Sequence, residues 1–187
     1  MKTVVFDFDG TLSYKDSMKD LFNEQMLGAK KVYRLYYYLL KVLAKLKITT
    51  VKFEKEQMLK LLFHSDVERF AAACRDQAGR FKLNPVFGKV QEHIDGGDRV
   101  IVLSASSMYF LETIFKGMKV EIIGTSLKCA DGRILGIDRH PFYHEKVECL
   151  KKMGITEVDE MYYDSKWDEV LIPMCKVSHK VKNGVII

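Results

Sequence analysis

The chain has 187 residues, 48% of them apolar, with three prolines and no low-complexity stretch or internal repeat. That composition excludes a disordered protein and suits one ordered domain with room for a small subdomain. The net charge of +5 is concentrated: Lys30, Lys31, Arg34, Lys41, Lys45, Lys47 and Lys52 lie between Gln25 and Phe53 with no acid among them, so the rest of the chain is net negative.

Cys74, Cys129, Cys149 and Cys175 form no C-x-x-C pair and no zinc-type spacing, which reads as reduced thiols in a cytosolic protein. Met1-Lys2-Thr3 runs straight into a strand carrying aspartates, so no signal peptide is expected and a cytoplasmic setting follows.

Thr3 to Phe8 is a short apolar run broken by Asp7, the pattern of a buried parallel strand that delivers a carboxylate at its C-terminal end. From Tyr14 to about Arg80 the chain reads helical throughout, rich in Met, Leu, Lys and Glu and free of proline, like an insertion. The α/β rhythm resumes at Asn84-Pro85, which predicts a helix start, with Val86, Val90 and Ile94 on one face and Gly96-Gly97 as the stop.

Arg99 to Leu103 predicts a second buried strand ending at Ser104, followed by a helix capped by Ser106 or Ser107 and carrying Phe110, Leu111, Ile114 and Phe115. Val120 to Gly124 is strand-like, and Leu127 to Ile137 predicts a hairpin about Asp131-Gly132. A helix over His144 to Met153, a short strand over Met161 to Tyr163 ending at Asp164, and one or two weak strands after Lys176 complete the chain. Alternating strands and helices predict an α/β fold with a parallel sheet covered on both faces, its site at the strand C-termini.

Asp7, Ser104 and Asp164 each stand at such an end. With Asp9, Lys146 and Asp168 they can converge into a nucleophile, an acid/base, a hydroxyl donor, a cation and two further acids. Taken singly, each has a plainer reading: a solvated turn for Asp7 and Asp9, a helix cap for Ser104, a surface lysine for Lys146.

Together they resemble the haloacid dehalogenase superfamily. The four motifs occur in order as Asp7-Phe8-Asp9-Gly10-Thr11-Leu12, Val102-Leu103-Ser104-Ala105-Ser106, His144-Glu145-Lys146-Val147 and Tyr163-Asp164-Ser165-Lys166-Trp167-Asp168. The resemblance implies a Rossmann-like core in which Asp7 attacks phosphorus and Asp9 is the acid/base. Dehalogenases of the superfamily do not need that second aspartate, so Asp9 favours a phosphatase. Ser104 and Lys146 would bind the phosphoryl oxygens, helped by backbone N–H groups near Gly10 and Ala105. Mg2+ would be held by a carboxylate oxygen of Asp7, the backbone carbonyl of Asp9, and Asp164, with Asp168 orienting that shell.

Asp9 and Ser104 are 95 positions apart, whereas Ser104 and Lys146 are 42 apart. The resemblance then implies a helical C1 cap over 14–80, on a core of 1–13 and 81–187. Within the superfamily the chain is most similar to subfamily IB, which contains phosphoserine phosphatases and a bacterial phosphatidylglycerophosphate phosphatase. Asp16 stands where phosphoserine phosphatases carry the glutamate that holds the substrate amine, and Trp167 stands where they usually carry asparagine. Both departures, with the His-Glu-Lys-Val run, turn the expectation toward a lipid-linked phosphate, with phosphoserine or another small metabolite as the alternative.

The basic segment 30–47 has two readings. Its cations Lys30, Arg34, Lys41 and Lys45 share one helical stripe that suits peripheral contact with an anionic membrane at the inner surface. The other reading is a cap helix with its apolar face packed inside and its lysines solvated. Too many charges interrupt Val32 to Ile48 for a membrane span. No nucleic-acid motif accompanies the cations, and no nucleic-acid partner is expected. Two non-enzymatic rivals are a receiver-type signalling domain, which lacks so large a helical insertion, and a catalytically silent phospho-ligand binder, which the intact acids and Lys146 oppose.

Overall fold

The computed structural model describes residues 1–187. Strand β1 (Thr3–Phe6) lies between β2 (Arg99–Ser107) and β5 (Val158–Tyr163), parallel to both. Strand β3 (Glu121–Ala130) pairs parallel with β2, and β6 (Cys175–Lys182) pairs parallel with β5. The antiparallel strands β4 (Arg133–Arg139) and β7 (Val185–Ile186) complete a seven-stranded sheet of order β4-β3-β2-β1-β5-β6-β7.

Central parallel strands have both faces covered, and that is why β1 and β2 read as unbroken apolar runs. Val4, Phe6, Val100 and Val102 enter the larger of two hydrophobic clusters, while Val5, Ile101 and Leu103 enter the smaller. A fully buried side chain such as Phe6 contributes about 1.5–3 kcal/mol by leaving water.

Four helices follow β1: α1 (Ser17–Leu27), α2 (Lys31–Lys45), α3 (Val51–Phe63) and α4 (Val67–Arg80). Three begin at side-chain caps, where Asp16, Thr50 and Asp66 accept from the backbone N–H of Lys19, Phe53 and Arg69. The larger cluster is continuous from the sheet through α5 (Phe87–Asp95) and α6 (Met108–Ile114) into Leu21, Met58, Phe63 and Phe70 of these helices. Helix α7 (His144–Lys152) and a 3-10 helix (Glu169–Met174) cover the other face through Leu150 and Leu171.

The chain leaves and re-enters the sheet layer at one stitched crossing. Asn84 donates its backbone N–H to Leu12 (3.0 Å) and its side-chain amide to the carbonyls of Thr11 (2.9 Å) and Ser13 (3.1 Å). Its Oδ1 accepts from Val86 N (2.9 Å), closing a turn, so α5 starts at Phe87 rather than directly after Asn84-Pro85. On the far side, the β3–β4 hairpin holds the α3–α4 turn through Val67 N to Gly132 O (3.1 Å) and Ile134 N to Ser65 O (2.6 Å).

Three local expectations need correction. Strand β2 continues past Leu103 to Ser107 through a register irregularity, and Ser107, though it precedes α6, makes no side-chain cap. The tail is not weak, because β6 pairs with β5 from Val158↔Cys175 to Tyr163↔Lys180. In α2 the apolar residues are not all packed inside: Tyr37 and Leu40 are buried, while Leu35, Leu39, Val42 and Leu46 are exposed.

Candidate active site

The registers Phe6↔Val102 and Phe6↔Tyr162 align the C-terminal ends of β1, β2 and β5, so the residues that follow them emerge at one edge. Asp7 leaves β1 with its backbone N–H still bonded to Tyr162 O (3.0 Å). Phe8 turns inward against Phe110 (5.5 Å between centroids) and Phe115 (6.0 Å). That buried anchor fixes the short loop carrying the two aspartates on either side of it.

Asp7 is 8% exposed. Its Oδ1 accepts from Lys146 Nζ at 2.7 Å, and its Oδ2 accepts from Thr11 Oγ1 at 3.3 Å. Lys146, on α7, also donates to Asp168 Oδ1, while Asp168 Oδ2 accepts from Ser165 Oγ (2.7 Å). Burial works against the charge on Lys146, but Asp7 and Asp168 outweigh it and hold the ammonium above its ordinary value. Burial also works against a charge on Asp7; Lys146 opposes that, and Asp168 and Asp164 reinforce it. Three carboxylates around one ammonium leave the site short of positive charge.

Asp9 sits in a net of hydroxyls. Its Oδ1 accepts from Ser17 N (2.8 Å), and its Oδ2 accepts from Ser106 Oγ (2.8 Å) and Ser17 Oγ (3.3 Å). Ser106 Oγ lies 3.0 Å from Ser104 Oγ, which accepts from Ser106 N (3.2 Å). Burial, then the charge of Asp16, pushes the Asp9 carboxyl up to about 7, against the pull of Ser17 N–H and Ser106. A carboxyl that exchanges its proton near neutrality is suited to acid/base work.

Oxygens of Asp7, Asp164 and Asp168 lie within 4.8 Å of one another. Burial, then Asp168, raises the Asp164 carboxyl to about 6. Both oxygens of Asp168 are already taken, by Lys146 and Ser165, whereas Asp164 has a cradle: a Cβ on Gly10 would stand 2.2 Å from Asp164 Oδ2, and Gly10 has φ +79°. An all-oxygen donor set that lacks positive charge fits a small hard cation such as Mg2+. The residues that would hold it are Asp7, Asp164 and the backbone carbonyl of Asp9.

All of Asp7, Asp9, Gly10, Asp16, Ser104, Ala105, Lys146, Asp164 and Asp168, each singled out in the sequence, line one cavity of about 380 Å3. Asp16 has a second task there, since its Oδ1 caps α1 by accepting from Lys19 N (2.8 Å). Residues that sequence reasoning missed also appear. Lys55 of α3 lines the cavity and donates to Ala105 O (3.1 Å); burial lowers its ammonium pKa, and Asp16 and Asp9 oppose that. Tyr14, Phe142 and Trp167 form aromatic walls, with Phe142 and Trp167 in contact (5.3 Å between centroids). Ser106 and Ser165 stand inside the motif runs and were legible as neighbours of site residues. Nothing in the local sequence marks Lys55 or Ser17.

A parallel α/β sheet whose strand ends gather two aspartates, a serine, a lysine and a further acid pair defines a class of hydrolase. Residues 4–166 match the model of the haloacid dehalogenase-like hydrolases, and the chain belongs to that family. No curated protein matches the chain. Among solved structures it is similar to a protein of unknown function from Bordetella pertussis Tohama I, with TM-score 0.75 and 23% identity over 91% of this chain and 85% of that one. It is also similar to a phospho-aspartyl intermediate analogue of phosphoserine phosphatase, with TM-score 0.65 and 18% identity over 97% and 87%. A third is a phosphoserine phosphohydrolase-like protein from Francisella tularensis subsp. tularensis SCHU S4, with TM-score 0.64 and 14% identity over 97% and 96%. At these identities the likeness is one of fold. No helix is long and apolar enough to cross a membrane.

Proposed function

We propose that this hydrolase is a Mg2+-dependent phosphomonoesterase working through an aspartyl phosphate on Asp7. The observation that carries the reading is the pairing of a buried Asp7, 2.7 Å from Lys146, with an Asp9 whose carboxyl is poised near pH 7. Asp7 attacks phosphorus while the ester oxygen departs, and Asp9 donates the proton that turns it into an alcohol. Asp9, now ionised, takes a proton from water as that water attacks the aspartyl phosphate, releasing inorganic phosphate and restoring both carboxyl groups. Lys146, Ser104 Oγ and the backbone N–H groups of Gly10 and Ala105 hold the phosphoryl oxygens. A bound Mg2+ would supply the positive charge that the acid cluster and the phosphoryl group need.

In this reading residues 14–80 act as a C1 cap of the subfamily IB kind over a core of 1–13 and 81–187. The substrate is a lipid-linked phosphate such as phosphatidylglycerophosphate, met at the cytoplasmic face of a membrane through residues 30–47. Asp16, the His144-Glu145-Lys146-Val147 run and the cation-rich α2 support it. A second reading, a phosphoserine or other small-metabolite phosphatase, is favoured by Lys55, whose ammonium lines the same cavity and would answer a substrate carboxylate.

The test is a Mg2+-supplemented panel of an aryl phosphate, phosphoserine, sugar phosphates and phosphatidylglycerophosphate in detergent micelles. Turnover should be greatest on the lipid and absent in Asp7→Asn; full activity in that variant would overturn the mechanism. A preference for phosphoserine would select the second reading. Binding without turnover would show a silent phospho-ligand binder.

A further inference from the structure

Helix α2 carries three longitudinal stripes, and only one of them is buried in the fold. Tyr33, Tyr37 and Leu40 face inward, Tyr37 and Leu40 being buried. On the opposite side, successive steps of three and four residues align Val32, Leu35, Leu39, Val42 and Leu46 into one ridge. These five are 60%, 71%, 52%, 52% and 63% exposed. Five aliphatic side chains in a row on the solvent side exceed the scattered apolar exposure expected of a protein surface.

The third stripe is cationic and borders the ridge. Arg34 within it is committed to the fold, donating to the carbonyls of Met26 (3.0 Å) and Leu27 (2.5 Å) at the end of α1. Lys41 lies over the Tyr37 ring (4.6 Å). Lys31 and Lys45, with Lys47 just beyond the helix, take part in none of the ion pairs of the structure, and all three are exposed.

We propose that α2 docks on an anionic lipid bilayer, its aliphatic ridge entering the boundary between headgroups and acyl chains while Lys31, Lys45 and Lys47 meet the lipid phosphates. Charge complementarity selects this occupant. The same spacing would suit a second copy of the chain, but pairing two such helices brings cations together where neither copy has an acid between Gln25 and Phe53. A nucleic acid would answer the cations and leave the aliphatic ridge in water.

The placement matters for the cavity. Exposed Leu46 and Ile48 lead directly into α3, whose Val51 and Lys55 line it. Docking through α2 therefore holds the cavity beside the lipid surface. The inference deepens the lipid-linked reading above and rests on it, yet its binding step can be measured without any phosphomonoester.

The experiment is co-sedimentation of the full chain with sucrose-loaded vesicles of phosphatidylcholine alone or mixed with phosphatidylglycerol, neither of which is a phosphomonoester. Aryl phosphate hydrolysis is followed in parallel. Binding to the mixed vesicles only, weakened by salt, is expected. The double variant Leu35→Asp/Leu39→Asp should lose at least tenfold in vesicle affinity with hydrolysis of the soluble ester unchanged, because the ridge touches neither core nor cavity. The triple variant Lys31→Gln/Lys45→Gln/Lys47→Gln should lose about a hundredfold. No binding by the parent, or undiminished binding by both variants, would overturn the proposal while leaving the phosphatase reading intact. A dimer by light scattering that Leu35→Asp/Leu39→Asp dissociates would assign the ridge to a second copy and overturn it as well.

Discussion

Ser106 Oγ donates to Asp9 Oδ2 at 2.8 Å and ties the end of β2 to a carboxylate 97 positions earlier in the chain. This bond favours the ionised form of Asp9, the form needed to deprotonate water, against the burial that raises its pKa. Ser106→Ala should therefore move the acidic limb of the rate profile to higher pH and lower kcat by roughly tenfold at pH 6. A pH–rate series on an aryl phosphate measures it, and an unshifted limb would remove Asp9 from the base role.

Lys146 is the ammonium bonded to both Asp7 and Asp168, and all three are buried. Lys146→Met leaves those carboxylates without their cation, a loss of about 3–5 kcal/mol when a buried pair is broken from one side. Removing the ammonium takes away a charge that holds the Asp7 carboxyl pKa down against burial, so that loss is largest at pH 8 and shrinks as Asp7 takes up its proton on acidification. Urea unfolding at pH 8 and pH 5.5 without metal should show this trend, with turnover lost throughout.

Gly10 has φ +79°, and any Cβ there would stand 2.2 Å from Asp164 Oδ2. Gly10→Ala should cost about 1–2 kcal/mol for the left-handed backbone alone, and the displaced carboxylate should weaken Mg2+ binding at least tenfold. Thermal unfolding and titration calorimetry separate the two effects. Parent-like Mg2+ affinity would show that Asp164 is not a ligand.

His140 is buried, its Nδ1 2.8 Å from Thr125 Oγ1 and its Nε2 without a partner. Burial, then the charges of Lys55 and Lys52, lowers its pKa to about 2. A histidine depressed in the folded state takes up its proton first in the unfolded chain. It therefore subtracts stability as pH falls below about 6.5, by about 1.4 kcal/mol per unit until the folded pKa is reached. His140→Gln removes this term, so the difference in unfolding free energy between variant and parent should move in the variant's favour between pH 6.5 and pH 5. Parallel denaturation curves with a constant difference would refute it.

The apolar runs before Asp7 and Ser104, and the order of the four motifs, were written in the sequence. Each is a local pattern: a strand buried on both faces shows itself as consecutive Val, Ile, Leu and Phe, and a strand end shows itself where that run meets a polar residue. The helical character of Tyr14 to Arg80 was legible for the same reason, and so was the hairpin at Asp131-Gly132.

Tertiary packing decided what no local pattern records. The partners of Asp9 are Ser17 and Ser106, brought to it by α1 and β2; Lys55 of α3 lines the cavity and reaches Ala105 O, 50 positions later in the chain, at 3.1 Å. For α2 the sequence determined an amphipathic, cationic helix but not which face the fold would take. Aromatic Tyr37 and aliphatic Leu40 were drawn into the core beside α1 and α3, and the aliphatic ridge was left outside. Hydrophobic burial is proportional to area and has no direction of its own, so only the shape of the neighbouring helices could settle that choice.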